Sequence, residues 1–348
     1  MASVPQPKAS SARQDLYRRM DTHNTAPLWE VLHALIPNEP VSRAQPYLWK
    51  YKDVRPYITE AGKLITAKEA IRRVLVLENP GMRGESCITQ SLYAGLQLIL
   101  PGEIAPSHRH SQSALRFIVE GSGAYTAVDG ERTSMVPGDF IITPSWTFHD
   151  HGNPGNEPVV WMDGLDIRIV ELFAAQFHEV YGEEIQPVTR SEGAATARYG
   201  NGLAPLNAVS PFGKTTPIFN YPYARSRESL ELLSKDQDPD ACHGWKMQFV
   251  NPLTGGHAMP TIAAFIQLLP KGFKTQPYRC TDGTVFSVVE GTGSALIGGQ
   301  RFDFEPRDTF VVPSWVALQI ESKGEAVLFS FSDRPGQEAM GLWREKRG

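Results

Sequence analysis

The feature that most constrains the fold is a repeat, because one pattern of short strands occurs twice in the chain. Residues 114–132 read ALRFIVEGSGAYTAVDGER, and residues 284–301 read TVFSVVEGTGSALIGGQR. A second pair follows, with PGDFIITPSW at 137–146 and PRDTFVVPSW at 306–315. Self-similarity of this kind indicates two copies of one structural unit.

The repeated unit is predicted to be an antiparallel β-barrel. Its apolar runs are short and are separated by Gly, Pro, Asp and Asn, which is typical of all-β barrels and sandwiches. The chain has 348 residues, of which 41% are hydrophobic, so it can bury the cores of two such domains. We therefore predict a mainly β fold with two antiparallel barrels.

Helical spacing and composition divide the rest of the chain. We predict an N-terminal helical arm over residues 1–75, a first barrel over 76–167, a connecting helical and irregular segment over 168–235, and a second barrel over 236–348. Apolar residues at helical spacing predict a helix over 68–77 within the arm and another over 168–183 within the connection.

Charge and cysteine content exclude several classes of protein. The formal net charge is −4 and the pI is about 6.2, which argues against a nucleic-acid partner. The three cysteines are far apart and form no CxxC motif, so neither a disulfide framework nor a cysteine zinc site is expected. Without a long apolar stretch or a signal core, we expect a cytoplasmic protein with no membrane partner.

Three histidines form a candidate metal site. His108 and His110 are two apart on a predicted strand, so both imidazoles project to the same face. His149 follows the second repeated motif and can join them if the two strands are neighbours. Three neutral imidazoles suit iron, zinc, copper or nickel. The alternative is that the pair consists of ordinary strand histidines on a wet face.

The second copy of the repeat provides an internal control for this site. Alignment of the copies places Tyr278 at the position of His108, Cys280 at that of His110 and Leu318 at that of His149. The scaffold residues recur while all three histidines are replaced. The histidines are therefore not required by the barrel fold, which favours a metal-binding role.

Arg116 is a candidate ligand for an anion. If the strand of the histidine pair continues without a bulge, Arg116 has the parity of His110 and also faces the cavity. A buried guanidinium needs an anionic partner. That partner is either a structural carboxylate or the carboxylate of a substrate, and the sequence leaves both open.

Three further polar residues have two possible roles each, and a fourth has one. His151 shares the parity of His149 and either faces the cavity or has a core or loop role. Asp163 ends the last strand of the first barrel, as a general base or as an ordinary residue entering a turn. Gln97 either lines the cavity or faces solvent, and Arg72 has a surface role by default because it lies in a predicted helix.

Two motifs resemble those of the cupin superfamily. They are GxxxxxHxH at 102–110 and PxxxxHxxxN at 144–153. Ala114 stands where many cupins have a metal-binding Glu, and Trp146 stands where many have Gly. With that Glu absent, the resemblance implies a metal site made of three histidines.

Longer strings resemble the gentisate 1,2-dioxygenases and their relatives that act on salicylate or 1-hydroxy-2-naphthoate. These are HRHSQSALRF at 108–117 and PSWTFHDHGN at 144–153. The resemblance covers nearly the whole chain. It implies a bicupin with a metal-free second barrel, usually a homotetramer, that holds one Fe(II) per chain in the first barrel.

The resemblance also implies roles for eight positions. The implied roles are iron ligands at His108, His110 and His149, substrate binding at Arg116, Arg72 and Gln97, and catalytic roles at Asp163 and His151.

The implied reaction is ring cleavage of gentisate, with O₂ as co-substrate, to maleylpyruvate. The cut lies between the carboxyl-bearing carbon and the adjacent hydroxyl-bearing carbon. Salicylate, substituted salicylates and 1-hydroxy-2-naphthoate are alternative substrates, and Tyr93, Ala94 and Gly95 are expected near the pocket that selects among them. A zinc cupin with isomerase or lyase activity and a non-catalytic binding cupin are more remote alternatives.

Overall fold

Four antiparallel sheets form two barrels of the same design. The computed structural model describes residues 10–348. The chain divides into two compact units, Met1–Val41 and Ser42–Gly348, and all four sheets belong to the larger one. The mainly β fold with two barrels is therefore confirmed.

The smaller unit contains two helices, α1 (Ser11–Asp21) and α2 (Leu28–Leu35). Ser10 caps α1 because its hydroxyl accepts a hydrogen bond from the Arg13 amide. Neither helix buries a residue. The first nine residues of the predicted arm lie outside the described residues.

The larger unit begins with β1 (Tyr47–Trp49), α3 (Tyr51–Leu64), α4 (Ala67–Ala70) and β2 (Val74–Val76). The helix predicted over 68–77 is wrong beyond Ala70. The backbone at Ile71 turns to a φ of 56°, and the apolar run Val74–Val76 forms a strand instead.

The first barrel follows a short 3₁₀ turn at Pro80–Met82 and contains eight consecutive strands. They are β3 (Tyr93–Ile99), β4 (Ile104–His110), β5 (Ala114–Glu120), β6 (Tyr125–Val128), β7 (Glu131–Ser134), β8 (Phe140–Thr143), β9 (His149–Gly152) and β10 (Val159–Leu165).

The connection between the barrels contains α5 (Ile167–Leu172), β11 (His178–Val180), α6 (Ala194–Tyr199), β12 (Asn220–Tyr221) and α7 (Tyr223–Asp236). The helix predicted over 168–183 is wrong beyond Leu172. The chain turns at Ala174, where φ is 50°, and then forms the strand β11. Phe177 and Val180, which suggested one helical face, are 68% and 63% exposed, so their spacing does not report burial within this chain.

The second barrel repeats the plan of the first. It contains β13 (Trp245–Gln248), β14 (Ala263–Leu269), β15 (Tyr278–Cys280), β16 (Thr284–Glu290), β17 (Gly293–Ile297), β18 (Gln300–Phe304), β19 (Thr309–Val312), β20 (Leu318–Ser322), β21 (Ala326–Ser332), α8 (Arg334–Ala339) and β22 (Glu345–Arg347).

Each barrel is built from one six-stranded and one five-stranded sheet. The first has the strand orders β12-β8-β5-β10-β3-β2 and β11-β4-β9-β6-β7, and the second has β1-β19-β16-β21-β14-β13 and β18-β17-β20-β15-β22. Strand β1 lies before the first barrel in sequence but pairs with β19 of the second, with Tyr47 opposite Val311. The segment that opens the larger unit thus contributes strands to both barrels.

The repeat extends to unusual backbone conformations. Gly121 and Gly291 have φ values of 81° and 79°, and Trp146 and Trp315 have values of 57° and 62°. An added Cβ at either glycine would overlap the backbone carbonyl oxygen of the residue just before the neighbouring strand, Pro158 or Glu325. These positions recur because the barrel needs them, since the second copy lacks the three histidines.

The two barrels share one hydrophobic core between their six-stranded sheets. Phe117 of β5 stacks on Phe329 of β21 with ring centroids 4.2 Å apart and an interplanar angle of 9°. The same buried cluster contains Leu96 and Met162 from the first barrel and Ile266 from the second. Each barrel therefore covers an apolar face of the other.

No helix within residues 10–348 combines the length and the apolar character that a membrane crossing requires.

The division of the chain into four segments stays a prediction.

Candidate metal centre

Three histidines converge inside the first barrel. His108 lies opposite His149 on the paired strands β4 and β9, and His110 is two residues further along β4. One ligand nitrogen from each ring lies within 4.8 Å of the other two. Among residues 10–348, no other group of three or more His, Cys, Asp or Glu side chains is close enough to share an ion.

Backbone carbonyls orient two of the three rings. The Nδ1 of His110 is 2.8 Å from the Gln112 carbonyl oxygen, and the Nδ1 of His149 is 2.9 Å from the Thr147 carbonyl oxygen. A carbonyl only accepts, so each Nδ1 carries the proton and donates it. Each Nε2 therefore keeps its lone pair for a metal, as in many metal-binding histidines.

All three imidazoles are neutral near pH 7. Burial lowers the pKa of His108 far below its usual range, and the guanidinium of Arg72 lowers it further. Burial also lowers the pKa of His110 to about 4 and that of His149 well below its ordinary value. A set of three neutral nitrogen donors fits a divalent metal of the iron-to-zinc series.

Arg116 lies beside the histidines, but on a different strand from the one predicted. The chain turns at residues 111–113, so Arg116 is on β5 of the opposite sheet and does not continue the histidine strand. It is 4% exposed, and its Nη1 donates to the Thr143 hydroxyl. Its Nε is 3.5 Å from the Asp163 carboxylate and forms no hydrogen bond within residues 10–348.

Asp163 is the structural carboxylate that faces Arg116 across β5 and β10. The Trp161 indole donates to its Oδ1 over 2.9 Å. Burial raises the pKa of Asp163 to about 6, although Arg116, Trp161 and Arg72 act in the opposite direction. The carboxylate can therefore gain or lose a proton close to neutral pH.

His151 is fully buried on β9, two residues beyond His149. Its Nδ1 is 2.9 Å from the Thr126 hydroxyl, and its Nε2 has no partner among the described residues. The ring centroids of His151 and His149 are 5.7 Å apart. An unpartnered polar atom this deeply buried is costly unless a ligand or a water satisfies it.

Gln97 and Arg72 also belong to the neighbourhood of the site. Gln97 is 4% exposed and lies opposite Trp161 in the register of β3 and β10, so it is not a solvent-facing residue. Arg72 is partly buried, and its Nη2 donates to the Pro106 carbonyl over 2.7 Å. The default surface role for Arg72 is therefore wrong, because the helix that would have exposed it ends at Ala70.

Three residues at the start of β3 were expected near the pocket. An added Cβ at Gly95 would lie 2.5 Å from the Val74 side chain and 2.7 Å from the Tyr93 hydroxyl. The side chains of Val74 and Tyr93 therefore leave no room for a side chain at position 95. Gly95 is also opposite Asp163. Ala94 has the other parity and belongs to the core between the barrels, which removes it from the pocket.

Two residues near the site were missed in the sequence. The His178 ring lies 5.2 Å from the His108 ring, because β11 pairs with β4. Its signal was hidden by the incorrect helix over 168–183. Asp150 is fully buried, and the Gln186 amide donates to its Oδ2 over 3.1 Å. Asp150 lies between His149 and His151 in the sequence, so strand alternation predicts that its side chain faces away from the cavity. It therefore gave no signal as a site residue.

The second barrel has no equivalent site among its described residues. Tyr278 lies opposite Leu318, as His108 lies opposite His149, which supports the alignment of the two copies. Phe286 and Ser330 face each other where the first barrel has Arg116 and Asp163. The cavity that remains measures about 20 Å³, enough for a water molecule.

Comparison with known proteins gives matches along the whole chain. The family model described as "Cupin domain" matches residues 95–167. The chain is 55% identical to gentisate 1,2 dioxygenase 1 of Aquipseudomonas alcaligenes over 347 residues, which cover 100% of each chain. It is 32% identical to 5-aminosalicylate 1,2-dioxygenase of a Comamonas species, over 95% of this chain and 89% of the relative.

A solved structure of a similar protein agrees in fold. Salicylate 1,2-dioxygenase from Pseudoaminobacter salicylatoxidans, in its adducts with gentisate, superposes with a TM-score of 0.92 at 34% identity. The match covers 98% of this chain and 95% of that one.

Proposed function

Because the chain belongs to the gentisate 1,2-dioxygenase family, we propose that it opens the ring of gentisate with O₂ as co-substrate and one Fe(II) per chain. The product is maleylpyruvate, formed by cleavage between the carboxyl-bearing carbon and the adjacent hydroxyl-bearing carbon. The observation that carries the proposal is the convergence of three histidine nitrogens within 4.8 Å. Arg116 and His151 accompany them, and the Arg116 Nε and the His151 Nε2 form no hydrogen bond within residues 10–348.

His108, His110 and His149 would hold the iron. When bound, the metal supplies the redox chemistry that lets O₂ react with an aromatic ring. The protein orients His110 and His149 through the carbonyls of Gln112 and Thr147, and it buries His149 away from bulk water.

Arg116 binds the substrate carboxylate in this proposal. Its guanidinium is buried, is held at one end by Thr143, and keeps Nε free of hydrogen bonds within the described residues. A planar fork that is fixed in this way can bind a carboxylate through two parallel hydrogen bonds. Arg72 and Gln97 complete the acid-binding side of the pocket.

Asp163 and His151 handle the proton of the ring hydroxyl. Asp163, with a pKa of about 6, is mostly a carboxylate at neutral pH and can accept a hydrogen bond or a proton from the substrate. The free Nε2 of His151 can accept from, or donate to, a second hydroxyl. By accepting the proton or a hydrogen bond from a ring hydroxyl, Asp163 and His151 can make the aromatic ring more electron-rich.

The same family membership supports a homotetramer in the cytoplasm, with an iron-free second barrel and the four segments given above. All three cysteines are free and buried, which suits a reducing compartment. Light scattering on the purified full chain measures the assembly, and a mass other than that of four chains would overturn the tetramer.

Oxygen uptake tests the reaction. The full chain is loaded anaerobically with Fe(II), mixed with gentisate and exposed to air, with the zinc-loaded protein as a control. We expect uptake and a new ring-fission absorbance with iron only, and lower rates with salicylate and 1-hydroxy-2-naphthoate. If the protein takes up no O₂ with any of the three acids and retains zinc, the result would favour a zinc isomerase or lyase instead.

A further inference from the structure

Arg72 holds the third metal-site histidine in an arrangement that the other two do not share. Its Nη2 lies 2.9 Å from the Nδ1 of His108 and also donates to the Pro106 carbonyl. Where His110 and His149 each face a carbonyl, His108 faces a guanidinium. The partner of the Nδ1 therefore differs in kind, since a carbonyl accepts and a guanidinium donates.

This difference decides which nitrogen of His108 carries the proton. A guanidinium stays protonated and has no acceptor, so the Nδ1 of His108 must accept from Arg72. The proton of the neutral ring then lies on Nε2. A metal on Nε2 needs that lone pair and moves the proton to Nδ1, where it would face the N–H of Arg72. Two donors cannot form a hydrogen bond, so the contact and the metal exclude each other.

The backbone next to Arg72 is strained in a way that favours its release. Ile71 has a φ of 56° and a ψ of −50°, and the Arg72 amide donates to the Ala70 carbonyl over 2.5 Å. This is a γ-turn of the rare positive-φ form. A β-branched residue is a marked outlier at such a φ. The Ile71 side chain is 62% exposed, so tertiary packing does not explain the choice of residue.

We propose that Arg72 turns away from His108 when the metal binds, and that the strained turn at Ile71 is the hinge that releases it. The inference rests on the proposed metal site. Ile71 is thus a positioning residue that acts through Arg72. While Arg72 contacts His108, its Nη2 is occupied by His108 and Pro106. Once released, that nitrogen can bind the carboxylate of the acid, so metal loading prepares the pocket for its substrate.

Crystal structures of the full chain with and without Zn(II) test the movement directly. Zinc binds three histidines readily and undergoes no redox chemistry. We expect zinc between the three histidines, the Arg72 Nη2 more than 3.5 Å from the His108 Nδ1, and a negative φ at Ile71. The chelated protein should keep the contact.

The two hypotheses fail differently in that experiment. Zinc at the three histidines with the Arg72 contact still in place would overturn the hinge but leave the metal site intact. No zinc at the histidines would overturn the metal site of the proposed function.

Two substitutions at Ile71 test the strain without changing any charge. Glycine adopts positive φ freely, whereas valine keeps the β-branch and the strain. We expect Ile71→Gly to weaken zinc binding by about five- to tenfold, because the turn no longer favours release of Arg72. Ile71→Val should match the wild type within about twofold, because it keeps the strain.

Competition with a fluorescent chelator measures the zinc affinity, and thermal unfolding checks that each variant folds. Equal or tighter zinc binding by a folded Ile71→Gly variant would overturn the role of Ile71. Equal weakening in both variants would do the same, because it would show that the loss does not depend on strain.

Discussion

Arg116 and Asp163 face each other across two strands, yet neither satisfies the other fully. The 3.5 Å separation of the Arg116 Nε from the carboxylate leaves the guanidinium able to take a second anion. The carboxylate, in turn, keeps a pKa of about 6. A pair that is closed to solvent but incompletely bonded is suited to a substrate that carries both an acid group and a hydroxyl.

Replacement of Arg116 by lysine tests the planar fork. Lysine keeps the positive charge but presents a point donor, so we expect the KM for gentisate to rise by about ten- to a hundredfold, with a smaller change in kcat. Steady-state oxygen uptake measures both constants. The control is Arg301→Lys, because Arg301 is exposed and paired with Asp303 on the second barrel. An unchanged KM would remove Arg116 from the acid-binding site.

Replacement of Asp163 by asparagine tests the base. In the wild type the carboxylate becomes protonated as the pH falls through about 6, so activity that requires the base should fall below that pH. Asparagine does not titrate, so the variant should lose this acidic limb and show a kcat lower by about a hundredfold. The pH profile of kcat/KM, which reports the ionisation of groups in the free enzyme, measures the effect. A limb near pH 6 that persists in the variant would belong to another group.

At the scale of single residues, some positions were predicted from the sequence for a structural reason that differs from the one observed. The alternation of strand side chains places the three histidines correctly, although β4 and β9 have an irregular register between Ala105 and His108. Arg116 reaches the cavity for a different reason from the one predicted, because a turn carries it to the opposite sheet. Arg72 and His178 depend on turns at Ile71 and Ala174 that no periodic pattern reveals.

At the scale of elements, the repeated turns are more informative than the strands they join. Gly291 adopts a φ of 79°, and an added Cβ would lie 2.7 Å from the Ala326 Cα. Gly121 has the same surroundings in the first barrel. The equivalence shows that these glycines serve the barrel and not the metal site.

Replacement of Gly291 by alanine should therefore destabilise a barrel that lacks the three histidines. We expect a loss of about 2–3 kcal/mol in the free energy of unfolding, from positive φ and overlap with β21. Gly324→Ala is the matched control, because a Cβ there meets nothing within 4 Å and the backbone is unstrained. Chemical denaturation compares the two. Equal stability of both variants would contradict the steric account.

The strands were predictable because apolar runs between turn residues have few other solutions, and the two copies reinforce each other. The helices were less predictable from the sequence than the strands. Both incorrect helices continue past a non-glycine residue at positive φ, Ile71 or Ala174. Such a conformation is imposed by tertiary structure and has no local sequence signal.

For the whole molecule, the second barrel is structural support for the first. The stacked rings of Phe117 and Phe329 lie in a core to which both six-stranded sheets contribute. Gly164 of β10 has no room for a Cβ, which would lie 2.9 Å from the Phe331 ring. The second barrel therefore supports the first although it lacks the three histidines.

Replacement of Phe329 by alanine tests this shared core. The cavity should cost about 3–5 kcal/mol, as for other large-to-small core changes. Because both barrels lose the same contact, we expect one thermal transition at a lower temperature in calorimetry. Phe302→Ala, at a partly buried position in the second barrel's own core, should cost less. Two separate transitions in the Phe329 variant would show that the barrels unfold independently.

Strand β1 has a consequence for how the protein is made. It leaves the ribosome before any strand of the first barrel, yet its partner β19 is among the last to emerge. Next to it, Lys50 bonds to Asp308, 258 residues later. During synthesis β1 therefore stays unpaired until the whole first barrel and the second barrel as far as β19 have been translated. A truncation that removes Tyr47–Trp49 would damage the barrel that is translated last.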